Sequence, residues 1–274
     1  MLPHRYSGTE PFFIKKDTYK TPMSTMHYHS AYELYYLING ERDYFIGDRF
    51  VKIFDGDLLL IPPNTLHRTA GKGATRILMH FERDYLLQYF TPKTVDALLG
   101  GNLPTVFRPG KEEKALLNSL FSTMLDAYNS SSYVEESALD RIAFCLPMLL
   151  STVQNAKNNY VEQHCSDQRI SRIVQYINDN YGKIQTIDEI ANQFFISKFY
   201  LCRLFTKELG GSLISYLNTV KIRAACTMLK DTDKTVTEIA LECGFHSSSY
   251  FSKVFKEETK LSPGAYRQQN IPSP

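Results

Sequence analysis

Four side chains in the N-terminal third of the chain carry groups that bind transition metals. His27, His29 and Glu33 follow one another in the pattern H-x-H-x-x-x-E, and His67 stands further along. Imidazole and carboxylate groups suit iron, manganese, nickel or zinc, and they also hydrogen-bond polar organic ligands. The residue types therefore leave three interpretations open: a metal site, the lining of a ligand pocket, or solvated histidines at the ends of strands.

The spacing of these residues resembles the two cupin motifs, with Gly40 closing the first, and Gly56 and Pro62 leading to the histidine of the second. In metal-binding cupins the corresponding residues cluster inside a barrel, and here they are His27, His29, Glu33 and His67. Three residues depart from the pattern, namely Thr21, Asn64 and Gly71. We expect the four side chains to line a ligand pocket rather than to hold a metal, so no cofactor is predicted.

The first 82 or so residues predict an antiparallel β-barrel. Short aromatic and β-branched runs alternate with turn signals such as Asn39-Gly40 and Gly47-Asp48. The predicted strands are Phe12–Tyr19, Tyr32–Ile38, Arg42–Ile46, Arg49–Phe54, Leu58–Ile61 and Arg76–Phe81. Closely spaced hairpins without helices between them are typical of a barrel or a sandwich.

Strand alternation predicts which side chains share a face. Glu33, Tyr35 and Leu37 lie on one face of their strand, and His80 shares a face with Arg76. Such polar groups suit a small metabolite with several hydroxyl groups, such as a sugar. The predicted ligand-binding residues are His27, His29, Glu33, Tyr35, His67 and His80.

Residues 83 to 155 change to helical spacing. Lys111–Tyr128 and Val134–Val153 predict two helices, with a proline kink at Pro147 in the second. This hairpin, at about 111–153, either caps the barrel or forms a dimer surface. The polar segment 156–168 predicts a linker between a sensing domain, 1–155, and a second domain, 169–270.

The C-terminal part contains one unit twice. Thr186 and Thr235 each begin a T-x-x-E capping box, and each short helix that follows leads to a turn and a second helix. Ser197 and Ser247 stand where they can cap the second helices. Gly244 supplies the turn of the second copy, whereas the first has no glycine there. This arrangement predicts two helix-turn-helix units, each presenting its second helix to a major groove of DNA.

The outward faces of these second helices carry the predicted DNA contacts. Arg203 suits base reading because a guanidinium can bond a guanine edge with two hydrogen bonds, and the lysines suit phosphates. The predicted DNA-binding residues are Ser197, Lys198, Phe199, Cys202, Arg203, Thr206 and Lys207 in the first copy and Ser247, Ser248, Ser249, Ser252, Lys253 and Lys256 in the second.

The stretch from Ile170 to Arg267 resembles the DNA-binding domain of the AraC family. The matching residues include Ile190-Ala191, Tyr200-Leu201, Arg203-Leu204-Phe205, Ile239-Ala240, Gly244-Phe245, Tyr250-Phe251, Pro263 and Tyr266-Arg267. The resemblance implies seven helices, one of which, Leu213–Leu229, joins the two units. At about 25 Å this helix can hold two recognition helices roughly one DNA turn, about 34 Å, apart.

Composition limits the class of protein. A chain of 274 residues suits two domains, and a net charge of only +2 means that DNA contact must use a local basic face. Five cysteines without a C-x-x-C pair argue against a disulfide framework or structural zinc. No apolar run suits a membrane span or a signal peptide, so we expect a cytoplasmic protein.

These observations predict an α+β protein of two domains that is not an enzyme. A cupin-like barrel with a helical hairpin would bind a small-molecule effector, and an all-α domain of two helix-turn-helix units joined by a long helix would bind duplex DNA. RNA polymerase and a second copy of the chain are the further partners expected. The alternative is a cupin metalloenzyme fused to a DNA-binding domain. Activation and repression both remain open.

Overall fold

The computed structural model describes residues 12–19, 26–47, 49–99, 105–130, 136–155 and 168–269. The chain divides into two compact units, Met1–His164 and Cys165–Pro274. The division falls within the predicted linker, 156–168, of which only the last residue belongs to the described part. Among the described helices, none is long and apolar enough to cross a membrane.

Two antiparallel sheets form the centre of the first unit. The strands are β1 Phe12–Tyr19, β2 Tyr32–Asn39, β3 Glu41–Ile46, β4 Arg49–Phe54, β5 Leu58–Ile61, β6 His67–Ala70, β7 Ala74–Phe81 and β8 Thr105–Phe107. The larger sheet has the order β1-β7-β2-β5-β8, and the smaller has the order β4-β3-β6. All six predicted strands are present. Strands β6 and β8 were not predicted, because β8 has only three residues and β6 pairs with β3, which is distant in sequence.

The larger sheet separates two cores. Leu34 and Tyr36 of β2 belong to the core on its outer face, whereas Tyr35 and Leu37 pack toward the smaller sheet. Alternate side chains of a strand leave on opposite faces, so β2 serves both cores at once. The prediction that Glu33, Tyr35 and Leu37 share a face is consistent with this packing.

Four helices accompany the sheets: α1 Arg83–Leu87, α2 Pro92–Leu99, α3 Lys111–Asn129 and α4 Glu136–Asn155. Phe121 of α3 and Leu146 of α4 are buried in the core on the outer face of the larger sheet. Tyr36 Oη of β2 also donates a hydrogen bond of 3.0 Å to Asn118 Oδ1 of α3. The predicted hairpin is therefore present and covers the sheet, with Pro147 inside α4.

The second unit is helical throughout its described part. Its helices are α5 Gln168–Asn180, α6 Ile187–Gln193, α7 Lys198–Leu209, α8 Leu213–Asp231, α9 Val236–Glu242, α10 Ser248–Thr259 and α11 Pro263–Gln269. Residues 168–269 thus form the seven helices that the AraC resemblance implies. The joining helix, α8, ends at Asp231 rather than at the predicted Leu229, and Thr232 follows as its C-cap.

Hydroxyl side chains begin the helices of both repeated units, as predicted. Each accepts a hydrogen bond from the backbone N–H three residues later, at 3.2 to 3.3 Å. These residues are Thr186 and Ser197 in the first helix-turn-helix unit and Thr235 and Ser247 in the second helix-turn-helix unit. A cap of this kind stabilises a helix by about 1 kcal/mol.

Candidate functional site

Three histidines converge on the carboxylate of Glu33 inside the first unit. His29 Nε2, His67 Nε2 and His80 Nε2 lie 3.1, 3.5 and 3.0 Å from Glu33 Oε2. Glu33 is only 4% exposed, and His67 is 1% exposed. The interpretation of these residues as solvated histidines at strand ends is therefore wrong.

Both sheets contribute to this cluster. Glu33 in β2 stands directly opposite His80 in β7, in the larger sheet. His67 is the first residue of β6 in the smaller sheet. The backbone of His27 pairs with that of His67 through N–H···O bonds of 3.0 and 2.9 Å, and their ring centroids are 4.2 Å apart. The cluster thus connects the larger sheet to the smaller one.

Backbone carbonyls fix the hydrogens of two of the rings. His29 Nδ1 lies 2.9 Å from the oxygen of Ala31, and His67 Nδ1 lies 2.7 Å from the oxygen of Thr65. Because a carbonyl oxygen only accepts, each Nδ1 carries a hydrogen and donates it. In the neutral ring, Nε2 then holds a lone pair directed at the carboxylate, which is itself an acceptor. This arrangement is favourable when a proton or a metal cation lies between the nitrogens and the oxygen.

The pKa values in the cluster follow from burial and from these contacts. Burial by itself would raise the pKa of Glu33, but its interactions with His67, His29 and His80 outweigh burial and hold that pKa well below its usual range. Burial lowers the pKa of His29, against the opposing influence of Glu33. The carboxylate is therefore ionised at neutral pH, and burial favours the neutral form of the His29 imidazole.

The cluster has the donor set and the dimensions of a metal site. One ligand atom from each of His27, His29, Glu33 and His67 lies within 4.8 Å of all the others. Zinc binds nitrogen and oxygen ligands at about 2.0 to 2.2 Å, so ligands on opposite sides of such an ion are about 4 Å apart. A small contraction would thus suffice to coordinate one ion. An organic molecule is too large to lie between atoms this close together.

Tyr35, the remaining predicted ligand residue, lies apart from the histidines on the same inner face. Its ring meets that of Tyr44 at 5.2 Å and lies 5.1 Å from the guanidinium carbon of Arg76. Tyr44 Oη is buried and has no hydrogen-bond partner among the residues that the structure describes. Burial raises the pKa of Tyr44 well above its usual value, so the group is a neutral hydroxyl. A buried hydroxyl of this kind is a candidate ligand contact that the sequence analysis missed, although alternation along β3 could have indicated it.

The predicted DNA-binding residues lie on the surface of the second unit. Leu201, Leu204 and Phe205 of α7 are buried, as the helical periodicity predicts. Every predicted DNA contact of α7 and α10 is exposed, except that Cys202 and Ser252 are half-buried. The structure therefore brings these residues onto accessible helix faces, and their contact with DNA stays a prediction.

Some basic groups on this surface already have acidic partners. Lys198 Nζ lies 2.7 Å from Asp188 Oδ2, and Lys207 Nζ lies 3.3 Å from Glu208 Oε1. Both lysines are largely exposed, and exposed ion pairs of this kind contribute no more than about 1 kcal/mol. A phosphate group can therefore replace the carboxylate at either lysine.

Comparisons with known proteins agree with both units. A family model described as a helix-turn-helix domain matches residues 190–269, and one described as a cupin domain matches residues 18–81. The HTH-type transcriptional regulator YfiF of Bacillus subtilis (strain 168) is 29% identical over 88% of this chain and 78% of its own. The melibiose operon regulatory protein of Escherichia coli (strain K12) is 23% identical over 90% of this chain and 84% of its own. The chain belongs to the AraC family of transcriptional regulators.

Among solved structures, ToxT from Vibrio cholerae O395 is 13% identical over 96% of this chain and 99% of its own, with a TM-score of 0.39. Within the present AraC-family regulator, the cupin match ends at the last residue of β7, and the helix-turn-helix match begins inside α6. The cupin match therefore contains the histidine cluster, and the helix-turn-helix match contains α7 and α10.

The turn of the first helix-turn-helix unit contains Phe195, which is not among the predicted DNA-binding residues. Phe195 adopts a positive φ of 54°, the left-handed conformation that Gly244 adopts in the second unit of this AraC-family regulator. Phe195 is 96% exposed and Phe199, on the first turn of α7, is 86% exposed. Two aromatic rings therefore stand in solvent on this unit.

Proposed function

We propose that this regulator binds a two-part DNA site through α7 and α10, and that a ligand of the first unit controls this binding. The observation that carries the DNA part is the match between the two helices. Both bury the equivalent apolar residues and leave the equivalent polar residues accessible. The buried pairs are Leu201 and Phe251, Leu204 and Val254, and Phe205 and Phe255.

Each helix has a distinct task in this proposal. Arg203 is exposed on α7 and reads a base edge, for which a guanidinium offers two parallel hydrogen bonds. Lys253 and Lys256 are exposed on α10 and contact phosphates, which position the protein without reading sequence. The small side chains of Ser249 and Ser252 let the α10 backbone approach the bases closely.

Selection of bound duplexes from a random DNA pool, at one stated moderate salt concentration, tests this proposal. The expected result is two short motifs about one helical turn apart, and a variant carrying both Arg203→Ala and Lys253→Ala should recover neither motif. Repeating the selection with added divalent metal and with candidate sugars covers a requirement for a ligand. Failure to recover any motif under all of these conditions would contradict the proposal.

For the ligand, the geometry favours a metal ion at the histidine cluster, contrary to the prediction of no cofactor. In the neutral form of both rings, the Nε2 lone pairs of His29 and His67 face the buried Glu33 carboxylate, and a divalent cation would satisfy all three groups. His27, His29, Glu33 and His67 would hold the ion. When bound, it would offer a Lewis-acid position to oxygen atoms of a small-molecule effector. Tyr44 would donate a hydrogen bond to such an effector.

Metal analysis of protein purified without added metal tests the second part. We expect about one equivalent of a transition metal, lost in His67→Ala and retained in His246→Ala, a matched change at an exposed histidine of the second unit. Calorimetric titration with zinc should show the same difference between the variants. No metal uptake by the unaltered protein, or equal uptake by both variants, would contradict metal binding at the histidine cluster. The first unit would then bind an organic effector without a metal. Metal-dependent turnover of a substrate would instead support the metalloenzyme alternative.

Partners other than DNA and ligand stay predictions. The helical hairpin covers the sheet, which was one of its two expected roles. On α4, Phe144 is 70% exposed and Met148 is 41% exposed one turn later, so apolar surface remains for a second copy of the chain. Sedimentation of the unaltered protein and of Phe144→Ser would test the dimer, which the variant should weaken. Contact with RNA polymerase and the cytoplasmic location likewise stay predictions.

A further inference from the structure

A buried lysine connects the two helix-turn-helix units. Lys221 lies near the middle of α8 and is only 5% exposed. Its Nζ donates hydrogen bonds of 2.9 Å to the oxygen of Ile184 and 2.8 Å to the oxygen of Gly244. Ile184 lies just before α6 of the first helix-turn-helix unit, and Gly244 lies in the turn of the second helix-turn-helix unit. One ammonium group therefore binds a backbone carbonyl of each unit.

The backbones of the two units also touch beside this lysine. A Cβ atom added to Gly182 would lie 2.6 Å from the oxygen of Glu242, and one added to Gly244 would lie 2.6 Å from the oxygen of Gly182. No side chain other than hydrogen fits at either glycine without a movement of the backbone. We call these five residues, Gly182, Ile184, Lys221, Glu242 and Gly244, the seam.

Burying the ammonium group of Lys221 costs desolvation free energy that an apolar side chain would not lose. Burial disfavours an ammonium ion unless hydrogen bonds and nearby electron density compensate for lost water. At Lys221 the compensation comes from the two carbonyls and from the ring of Phe245, whose centroid lies 5.4 Å from Nζ. Burial lowers the pKa of this lysine nonetheless. In return, the lysine supplies directional bonds to two separate backbone segments, which no apolar residue can supply.

We propose that Lys221 is a positioning residue that fixes α7 relative to α10, and thereby fixes the spacing between DNA half-sites that the regulator accepts. The proposal rests on the proposed function, because spacing has meaning only when both helices contact DNA. Helix α8 joins the units covalently, and the seam supplies a second, non-covalent connection beside it. Two connections resist a rotation about α8 that one alone would permit. Since one base pair changes the separation by about 3.4 Å and the angle by about 35°, a rigid pair of helices rejects altered spacing.

Binding to duplexes with altered spacing tests this proposal. The duplex recovered by selection is compared with duplexes that carry one base pair more or fewer between the half-sites, and with each half-site alone. Lys221→Met removes the ammonium group at nearly constant length. Lys230→Met is the matched control, because Lys230 is an exposed lysine of the same helix and its loss changes the net charge equally.

The unaltered protein and Lys230→Met should bind the altered duplexes about tenfold or more weakly than the selected duplex. Lys221→Met should lose about tenfold on the selected duplex and less than about twofold on the altered duplexes and single half-sites, so its spacing profile flattens. An equal loss on all duplexes, or an unchanged profile in a folded variant, would overturn the proposal.

A second variant covers the case in which Lys221→Met does not fold. Gly182→Ala keeps the lysine but presses a methyl group against the carbonyl of Glu242, so it should flatten or shift the spacing profile and spare half-site binding. If the unaltered protein binds one half-site as tightly as two, the proposed function fails. If it depends on spacing and the folded variants keep its profile, only the role of the seam fails.

Discussion

The two helix-turn-helix units build the same turn with different residues. In the first, Phe195 N–H and Ile196 N–H bond the carbonyls of Asn192 and Ala191 at 3.1 and 3.0 Å. In the second, the equivalent bonds from Gly244 and Phe245 reach Leu241 and Ala240 at 2.9 Å each. Phenylalanine and glycine thus adopt one left-handed conformation. The comparison teaches that the helices on either side, rather than the residue in the turn, impose this backbone.

The surroundings explain why only one copy needs glycine. Phe195 is 96% exposed, so its side chain extends into solvent. Gly244 is buried against Gly182 and Lys221, where a Cβ atom would lie 2.6 Å from one backbone oxygen and 3.0 Å from the ammonium nitrogen. Glycine in the second copy is therefore required by the seam, in addition to the turn. The two units are alike in local geometry and unlike in what surrounds them.

The largest difference between the copies should appear in the free energy of unfolding when the turn residue of each copy is replaced. Gly244→Ala should lower the free energy of unfolding by about 3 kcal/mol, because it combines a positive φ with a backbone clash. Phe195→Gly should change it by less than about 1 kcal/mol, because relief of strain opposes the greater freedom of the unfolded chain. Denaturant unfolding measures both values. Similar small effects at the two positions would mean that the seam tolerates a methyl group.

The recognition helices should differ next most strongly, at Arg203 and its counterpart Lys253. Arg203→Ala should weaken binding to the selected duplex by about 2 kcal/mol, or roughly thirtyfold, with a smaller loss on unrelated DNA. Lys253→Ala should weaken binding to both kinds of DNA by similar factors, since a phosphate contact carries no sequence information. Fluorescence anisotropy at a fixed salt concentration measures these affinities. An equal loss on both DNAs for Arg203→Ala would refute its base-reading role.

At the helix starts the copies should behave alike. Thr186→Ala and Thr235→Ala should each lower the free energy of unfolding by about 1 kcal/mol, because each removes the acceptor for a backbone N–H. Serine at either position should restore most of that loss and is the matched control. Thermal or denaturant unfolding provides the measurement. A cost confined to one copy would show that the two helix starts are not equivalent.

The smallest expected difference concerns Phe199 and the equivalent Ser249. An exposed phenyl ring suits contact with the methyl group of thymine. A serine hydroxyl binds a base edge by a hydrogen bond, which does not need the thymine methyl group. Replacing a contacted thymine of the first half-site by deoxyuridine should cost about 0.8 kcal/mol, roughly fourfold in affinity. The same replacement should have no effect on Phe199→Ser or in the second half-site. An undiminished effect in Phe199→Ser would assign the methyl contact to another side chain.

Alternation and periodicity predicted most of the fold because burial acts on whole faces of strands and helices. The strands Phe12–Tyr19, Arg49–Phe54 and Leu58–Ile61 occur with the predicted bounds. The predicted hydroxyl caps of the two units also occur, since a hydroxyl before an apolar helix satisfies nearby N–H groups without distant partners. The full capping box predicted for both copies forms only in the second, where Glu238 accepts from the Thr235 N–H; in the first, Glu189 accepts from the Gln185 N–H instead. Strand β6 was missed because its four residues, His67–Ala70, pair with β3 only through contacts distant in sequence.

The candidate sites were predicted in part. Spacing and resemblance led to the four potential metal ligands, yet only coordinates show that His29 and His67 donate their Nδ1 hydrogens to backbone carbonyls. Lys221 gave no signal, because a single lysine in a helix is usually exposed. Alternation along β3 could indicate that Tyr44 is buried, but not that its hydroxyl lacks a hydrogen-bond partner among the described residues. Lys221 matters because it bonds two distant backbone carbonyls, and Tyr44 matters because its buried hydroxyl has no hydrogen-bond partner among the described residues. A pattern along the sequence records neither property.

Strand β2 has a mechanical consequence for signalling. Glu33 and Leu34 share a rigid peptide plane, although one side chain enters the histidine cluster and the other enters the core beneath the helices. A displacement of the Glu33 backbone would reach Leu34 through this plane, and the same strand carries Tyr36, whose Oη donates a hydrogen bond to Asn118 Oδ1 of α3. A ligand that displaced the Glu33 carboxylate would therefore also act on the sheet face against which α3 packs.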